Sequence, residues 1–280
     1  MEILVTGLSG FIGQNLKIAF EKKGHHVYTV SKDVLLPGGK KLREATEKAD
    51  VIVNLAGESI AGRWTDEKMI EIVESRRVTT RNLVDCVKES DRKPLLWINA
   101  SAVGIYKPGA FCDEESSDLD NRFLAGVIKV WENEVNKLGD IRKVILRFGI
   151  VIGRNGGVMR KLMPMVKSRL AFVMGNGKQE FPLIHVQDVV DFMLYLLENE
   201  GMQGIYNMVV PNAVTYREFV KSLSLIRKPW ITLTIPEWLL GITMGESAYM
   251  LTRSAHVIPM RMMTSGYELK YRTLKEMISN

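Results

Sequence analysis

Three glycines, a serine and a tyrosine are the residues of this 280-residue chain whose types and spacing could do chemistry. Gly7, Gly10 and Gly13 follow at spacing three from the apolar run Ile3-Leu4-Val5, and Gln14 to Lys23 then reads as a helix. Each glycine has a mechanical task. Gly7 lets the chain turn sharply off a strand, Gly10 lets backbone amides approach an anion with no Cβ in the way, and Gly13 lets the helix press on the strand. The helix start presents unpaired N–H groups and the positive end of its dipole. A plain tight turn would also use glycines. Buried strand, glycine turn and helix together select the cradle of a dinucleotide pyrophosphate, with Thr6, Ser9, Phe11 and Ile12 filling the same stretch.

The next strand, His26 to Val30, ends in Ser31-Lys32. An acidic residue about 20 positions past the glycines would bond the ribose 2′-hydroxyl of NAD. Serine and lysine instead suit a 2′-phosphate, which a carboxylate would repel. NADP(H) is therefore expected in preference to NAD(H); the plainer reading of Lys32 is a surface lysine. Asn54-Leu55-Ala56-Gly57 closes a third strand, at the strand ends where ligands of such sheets lie. Ser101 closes a fourth, Pro94 to Ala100, and Tyr106 follows in its exit loop. A strand-end serine can be catalytic or can simply cap a turn.

These groups require an alternating frame. Asp66 to Glu89 reads as a long helix whose apolar side carries Met69, Ile72, Val73, Leu83 and Val84, with Arg76 and Arg77 on a solvated face. Phe123 to Leu138 reads as a helix and Lys143 to Phe148 as the fifth strand. Gly149 to Gly157 reads as a glycine-rich loop, Val158 to Val166 as a Met-rich helix with core-filling methionines, and Gly204 to Val210 as another strand. Alternation of strand and helix argues an α/β class, a Rossmann-type doubly wound parallel sheet with a smaller α+β C-terminal lobe. The expected division is residues 1–165 for the nucleotide-binding unit, with 182–210 adding strand and helix to its sheet, and 166–181 with 211–280 for the smaller lobe. His185 is expected to be structural, beside an Asp188 that caps the following helix, and Thr215 with Glu218 reads as a capping box.

Bulk properties narrow the classes. Hydrophobic residues at 46% and charged residues at 25% are those of an ordinary globular chain. Cys86 and Cys112 are the only cysteines, which excludes a disulfide framework and makes a cytoplasmic setting the expectation. No apolar run approaches the ~18 residues of a membrane span, and Glu2 in place of a basic patch argues against a signal peptide. The net charge of +6 is dispersed, with no basic stripe for nucleic acid. Four histidines without ligand spacing argue against a metal site. The expected partner is a small molecule of unknown identity, with neither membrane nor nucleic acid.

Thr6-Gly-x-x-Gly-x-x-Gly13, Asn54-Leu-Ala-Gly57, Ser101 and Arg147-Phe-Gly-x-Val-x-Gly153 together resemble the extended short-chain dehydrogenase/reductases, the nucleotide-sugar epimerase and dehydratase group. Asn54 to Ile60, Ser75-Arg76, Trp131-Glu132, Ile184-His-Val-x-Asp188 and Met244-Gly-Glu246 bring the chain closest to the small epimerase-like subfamily with a C-terminal domain of unknown function. The resemblance implies an NADP-binding fold and adds Arg147 to the cofactor residues. It also implies an oxidoreductase or epimerase-like activity on a carbonyl or sugar-nucleotide-like substrate, with Ser101 as a catalytic group, and a homodimer through the long helix; Tyr106 is the candidate substitute for the acid/base. The superfamily pairs its serine with Tyr-x-x-x-Lys on the next helix. Anchored on Glu132, that motif would fall on Leu124 and Ile128, which implies a second reading: a non-catalytic NADP(H)-binding redox sensor.

Overall fold

The computed structural model describes residues 1–37, 39–154 and 156–279; Asn155 of the glycine-rich loop lies outside the described residues. Six strands form one parallel sheet: β1 (Glu2–Thr6), β2 (His26–Tyr28), β3 (Val51–Asn54), β4 (Leu96–Ala102), β5 (Lys143–Phe148) and β6 (Gly204–Met208). Their spatial order is β2-β1-β3-β4-β5-β6, so the winding reverses between β1 and β3. That reversal opens a crevice at the carboxyl ends of these two strands. Crossovers run through α1 (Phe11–Lys22), α2 (Asp66–Glu89), α3 (Phe123–Asn136) and α4 (Val186–Glu198), with two shorter helices, Lys32–Leu35 and Lys40–Lys48, between β2 and β3.

Strand residues alternate between two cores. Ile3, Val5, Val53, Ile98 and Leu146 pack with Leu16 and Phe20 of α1 and Val189, Phe192 and Met193 of α4. Leu4, Ile52, Trp97 and Ile145 face the other way, against Leu83, Val84 and Val87 of α2 and Val135 of α3. With helices on both faces, β3 is buried throughout and β1, β4 and β5 at all but one end residue, which is why these strands read as apolar runs. Each such side chain contributes roughly 1.5–3 kcal/mol. The partly exposed side of α2 carries the ion pair Arg77–Glu74, and Arg81 ties α2 to the buried Glu134 of α3. No helix of the described residues is long and apolar enough to cross a membrane.

A further core joins Met159 and Val166 of the helix Gly157–Lys167 to Val173, Tyr216, Phe219 and Met277. Part of the glycine-rich loop is a strand: Ile150–Gly153 pairs in parallel with Leu183–His185. Its Ile-Val-Ile run supplies the β-branched residues, which the flanking glycines masked. Leu170–Met174 and Ile231–Ile235 form a second small parallel pair. The capping box at Thr215 and Glu218 is present. At α4 the expected cap is corrected. His185 itself caps, accepting from the Gln187 amide through Nδ1, while the fully buried Asp188 accepts from the backbone N–H groups of Lys270 and Tyr271. A carboxylate inside the first turn can serve distant amides because the histidine ring already serves the near one.

Candidate cofactor site

Gly7 takes φ +73°, a conformation costly for other residues, and a Cβ there would stand 2.8 Å from the Leu55 carbonyl carbon. On Gly13 a Cβ would meet the Gly7 carbonyl oxygen at 2.6 Å, so this glycine presses α1 on the turn itself. Gly10 caps α1 with no side-chain bond and no acidic residue in the first turn, leaving the helix start open to an anion. Two cavities meet at Gly7. One, of about 330 Å³, runs past Ser9, Ser31, Lys32, Ala56 and Gly57; the other, of about 350 Å³, runs past Gly10 to Gly13, Leu55 and Ser101. Side chains at Gly7 and Gly13 would collide with the backbone of Leu55 and of the turn itself. Two chambers joined over a helix start fit an elongated ligand with an anionic middle, as a dinucleotide is.

Ser31 precedes the helix Lys32–Leu35 without spending its hydroxyl on a cap. Glu58 lines the same chamber, but its carboxylate is bonded to Lys68 Nζ at 2.7 Å, and that bond lowers its pKa.

Two expected contacts sit beneath the cradle instead. The side chains of Thr6 and Asn54 are wholly buried. Thr6 Oγ1 donates to Asn54 Oδ1 at 2.7 Å and accepts from the Ala56 amide, while Asn54 Nδ2 donates to Thr80 and Asn99. They tie the ends of β1 and β3 together and hold the loop Leu55 to Gly57 in place. Their side-chain polar atoms are spent on this buried network.

Arg147 is likewise engaged away from the cofactor chambers. Its guanidinium forks onto Glu132, Nε to Oε1 at 2.9 Å and Nη2 to Oε2 at 2.8 Å, and Nη1 donates to the Tyr106 hydroxyl at 2.9 Å. Burial works against the arginine's charge, but the bonds to Glu132 hold its pKa above the ordinary value. Ser101 Oγ donates to Glu132 Oε1 at 2.5 Å, and the Tyr106 hydroxyl donates to Asn207 Oδ1 at 2.9 Å. Ser101 and Tyr106 are 3% and 2% exposed. Burial raises the Tyr106 pKa, with Arg147 opposing. Both hydroxyl protons are thus committed inside one closed network.

On α3, Leu124 and Ile128 line the chamber beside Ser101, and Glu132 reaches that serine, as anchoring on Glu132 requires. Arg76 is the residue that sequence reading missed. It faces the chamber rather than solvent, its guanidinium 5.1 Å from the Trp131 ring centroid. Its neighbour Arg77 is the one that pairs outward with Glu74, and nothing in an Arg-Arg pair says which member turns in.

A third cavity, of about 210 Å³, adjoins through Ile60, Ala102, Leu124 and Phe148 and is walled by Tyr106, Phe181, Tyr249 and Val257. Arg122 lies over the Tyr249 ring at 3.6 Å on its rim. No cluster of potential metal ligands occurs among the described residues.

The model of the NAD dependent epimerase/dehydratase family matches residues 3–208, and a domain of unknown function, DUF1731, matches residues 235–280. The chain is 32% identical to the epimerase family protein YfhF of Bacillus subtilis, over 100% of this chain and 97% of that protein. It is also 32% identical to human epimerase family protein SDR39U1, over the full length of both. A crystal structure of human SDR39U1 (isoform 2) with NADPH superposes with a TM-score of 0.89 at 30% identity, again over 100% of both chains. A UDP-glucuronic acid 4-epimerase from Bacillus cereus, at 18% identity and a TM-score of 0.79, shares the fold. With its glycine cradle, its strand order and this full-length similarity, the chain belongs to the NAD dependent epimerase/dehydratase family, as an epimerase-like extended short-chain dehydrogenase/reductase with a Rossmann-type fold.

Proposed function

We propose that this chain is an NADP(H)-binding protein whose role rests on holding the dinucleotide, in the manner of a redox sensor, rather than on the tyrosine–lysine chemistry of its superfamily. The observation that carries this reading is the closed network of Ser101, Glu132, Arg147, Tyr106 and Asn207. A substrate carbonyl can be polarised by Ser101 only if the hydroxyl turns away from Glu132, which breaks the bond that holds it. Leu124 and Ile128 add no acid. Gly7, Ser9, Gly10, Phe11, Ile12, Gly13, Leu55, Ala56 and Gly57 would hold the cofactor, with Ser31 and Lys32 facing a 2′-phosphate. The NADPH in the human relative's crystal structure supports the same assignment.

A second reading is favoured by the third cavity, which meets the cofactor chamber and is roofed by C-terminal residues. It is an NADP-dependent oxidoreductase acting on a carbonyl or sugar-nucleotide-like substrate. The bound nicotinamide would supply hydride.

Titration with NADPH and NADH, followed by nicotinamide fluorescence, tests the first reading. NADPH is expected to bind more tightly, and Lys32→Ala to weaken NADPH alone by about tenfold, the worth of one charge-assisted contact. Equal binding of the two would remove the 2′-phosphate argument. Steady NADPH oxidation with any member of a carbonyl panel, lost in Ser101→Ala while binding persists, would replace the first reading by the second.

A further inference from the structure

Among the described residues, Arg76 is the only charged one lining the larger chamber. Its Nη1 donates to the Ile72 carbonyl at 3.0 Å and its Nη2 to the Glu58 carbonyl at 3.0 Å. Both acceptors are neutral, and three of the five guanidinium N–H groups remain. The carboxylate of Glu58 is taken by Lys68, and no carboxylate among the described residues pairs with Arg76. Burial pushes its pKa down to about 10, so it stays cationic at neutral pH. The Glu58 carboxylate is near enough to favour the charge but is bonded to Lys68, so this half-buried cation over an indole lacks the bonded counter-ion that arginine ordinarily finds when withdrawn from water.

Its position says which anion is missing. The guanidinium lies flat against Gly57, where a Cβ would come within 2.9 Å of Cζ. Gly57 follows Leu55 and Ala56, whose backbone passes against Gly7, the residue common to both chambers. A dinucleotide laid across both chambers must carry its pyrophosphate over that junction, between the start of α1 and the guanidinium. We propose that Arg76 is the counter-cation of the cofactor's pyrophosphate, closing from α2 a clamp whose other jaw is the helix start at Gly10 to Gly13. Arginine suits the task because its planar fork can bond two phosphate oxygens at once.

The inference rests on the NADP(H) reading above, and one set of titrations separates the two. The unaltered protein, Arg76→Met and Arg76→Lys are titrated with NADPH and with adenosine 2′-monophosphate, which has no pyrophosphate. Arg76→Met is expected to weaken NADPH by roughly 10- to 100-fold, as befits hydrogen bonds to a charged group, and to change adenosine 2′-monophosphate less than twofold. Arg76→Lys should recover part of the loss. Melting of the ligand-free Arg76→Met variant should not fall, since an unpaired cation is removed; if that variant does not fold, Arg76→Gln is read in its place. NADPH binding within twofold of the parent, or equal loss of both ligands, overturns the assignment. Failure of the unaltered protein to bind either ligand overturns the cofactor reading itself.

Discussion

Glu132 serves three donors at once, two from Arg147 and one from Ser101. Such a pair is sensitive to one-sided change. Removing the carboxylate strands a guanidinium that is 5% exposed, and breaking a buried pair costs about 3–5 kcal/mol. Glu132→Ala is therefore expected to lower the urea-unfolding free energy by that amount. The double change Glu132→Leu with Arg147→Met should recover most of it, because two apolar groups need no partners. A single-variant loss under ~1 kcal/mol would show that the network carries little stability. The same residues show how much of the site was legible at this scale. Ser101, Tyr106 and Arg147 stood out by type and by resemblance. That Arg147 bonds Tyr106 and shares Glu132 with Ser101 depends on β4, β5 and β6 lying side by side with the exit loop folded over them.

Helix ends carry the next prediction. His185 caps α4 with a neutral ring, 3.9 Å from the ring centroid of Tyr271, and burial pushes its pKa down to about 4 from the usual 6.5. The folded value lies below the unfolded one. Between about pH 6.5 and 4 the unfolded chain therefore takes up a proton that the folded chain refuses, and stability falls as pH falls. The full shift corresponds to at most about 3 kcal/mol. His185→Asn keeps a capping acceptor and removes the titration, so its stability relative to the parent should rise from pH 7 to pH 4.5 in paired urea titrations. A constant difference across that range would deny the ring its role. Thr215→Ala, which opens the capping box, is expected to cost about 1 kcal/mol at any of these pH values.

At the scale of the molecule, the cofactor chambers sit where the sheet changes winding direction, and the C-terminal residues roof the cavity beside them. A ligand spanning Gly7 touches α1, the end of β3, α2 and α3 together, so binding should report on the whole sheet rather than on one loop. With NADPH at 100 times its dissociation constant, stability is expected to rise by about 2.7 kcal/mol, seen as an upward shift of the melting temperature that grows with concentration. A shift of equal size with NADH at the same concentration would argue against the Ser31 and Lys32 assignment. Trp230 and Trp238, 77% and 67% exposed on the C-terminal face, lie outside this unit; Trp238→Ala should leave both melting and binding within error.

By itself the sequence determined the frame. Apolar runs of strand length, helical periodicities and three glycines at spacing three name a parallel α/β sheet and its nucleotide cradle, because these signals are local and each has one steric or hydrophobic cause. Leu124 and Ile128 at the usual tyrosine and lysine positions were legible for the same reason, since one helix fixes their spacing to Glu132. Tertiary structure alone decided which polar groups line the chambers. Thr6 and Asn54 turned beneath the cradle, Arg147 turned to Glu132, and Arg76 turned inward while Arg77 did not. A polar side chain is equally at home in water, in a buried network or against an anion, and only the neighbours brought by the fold choose among these.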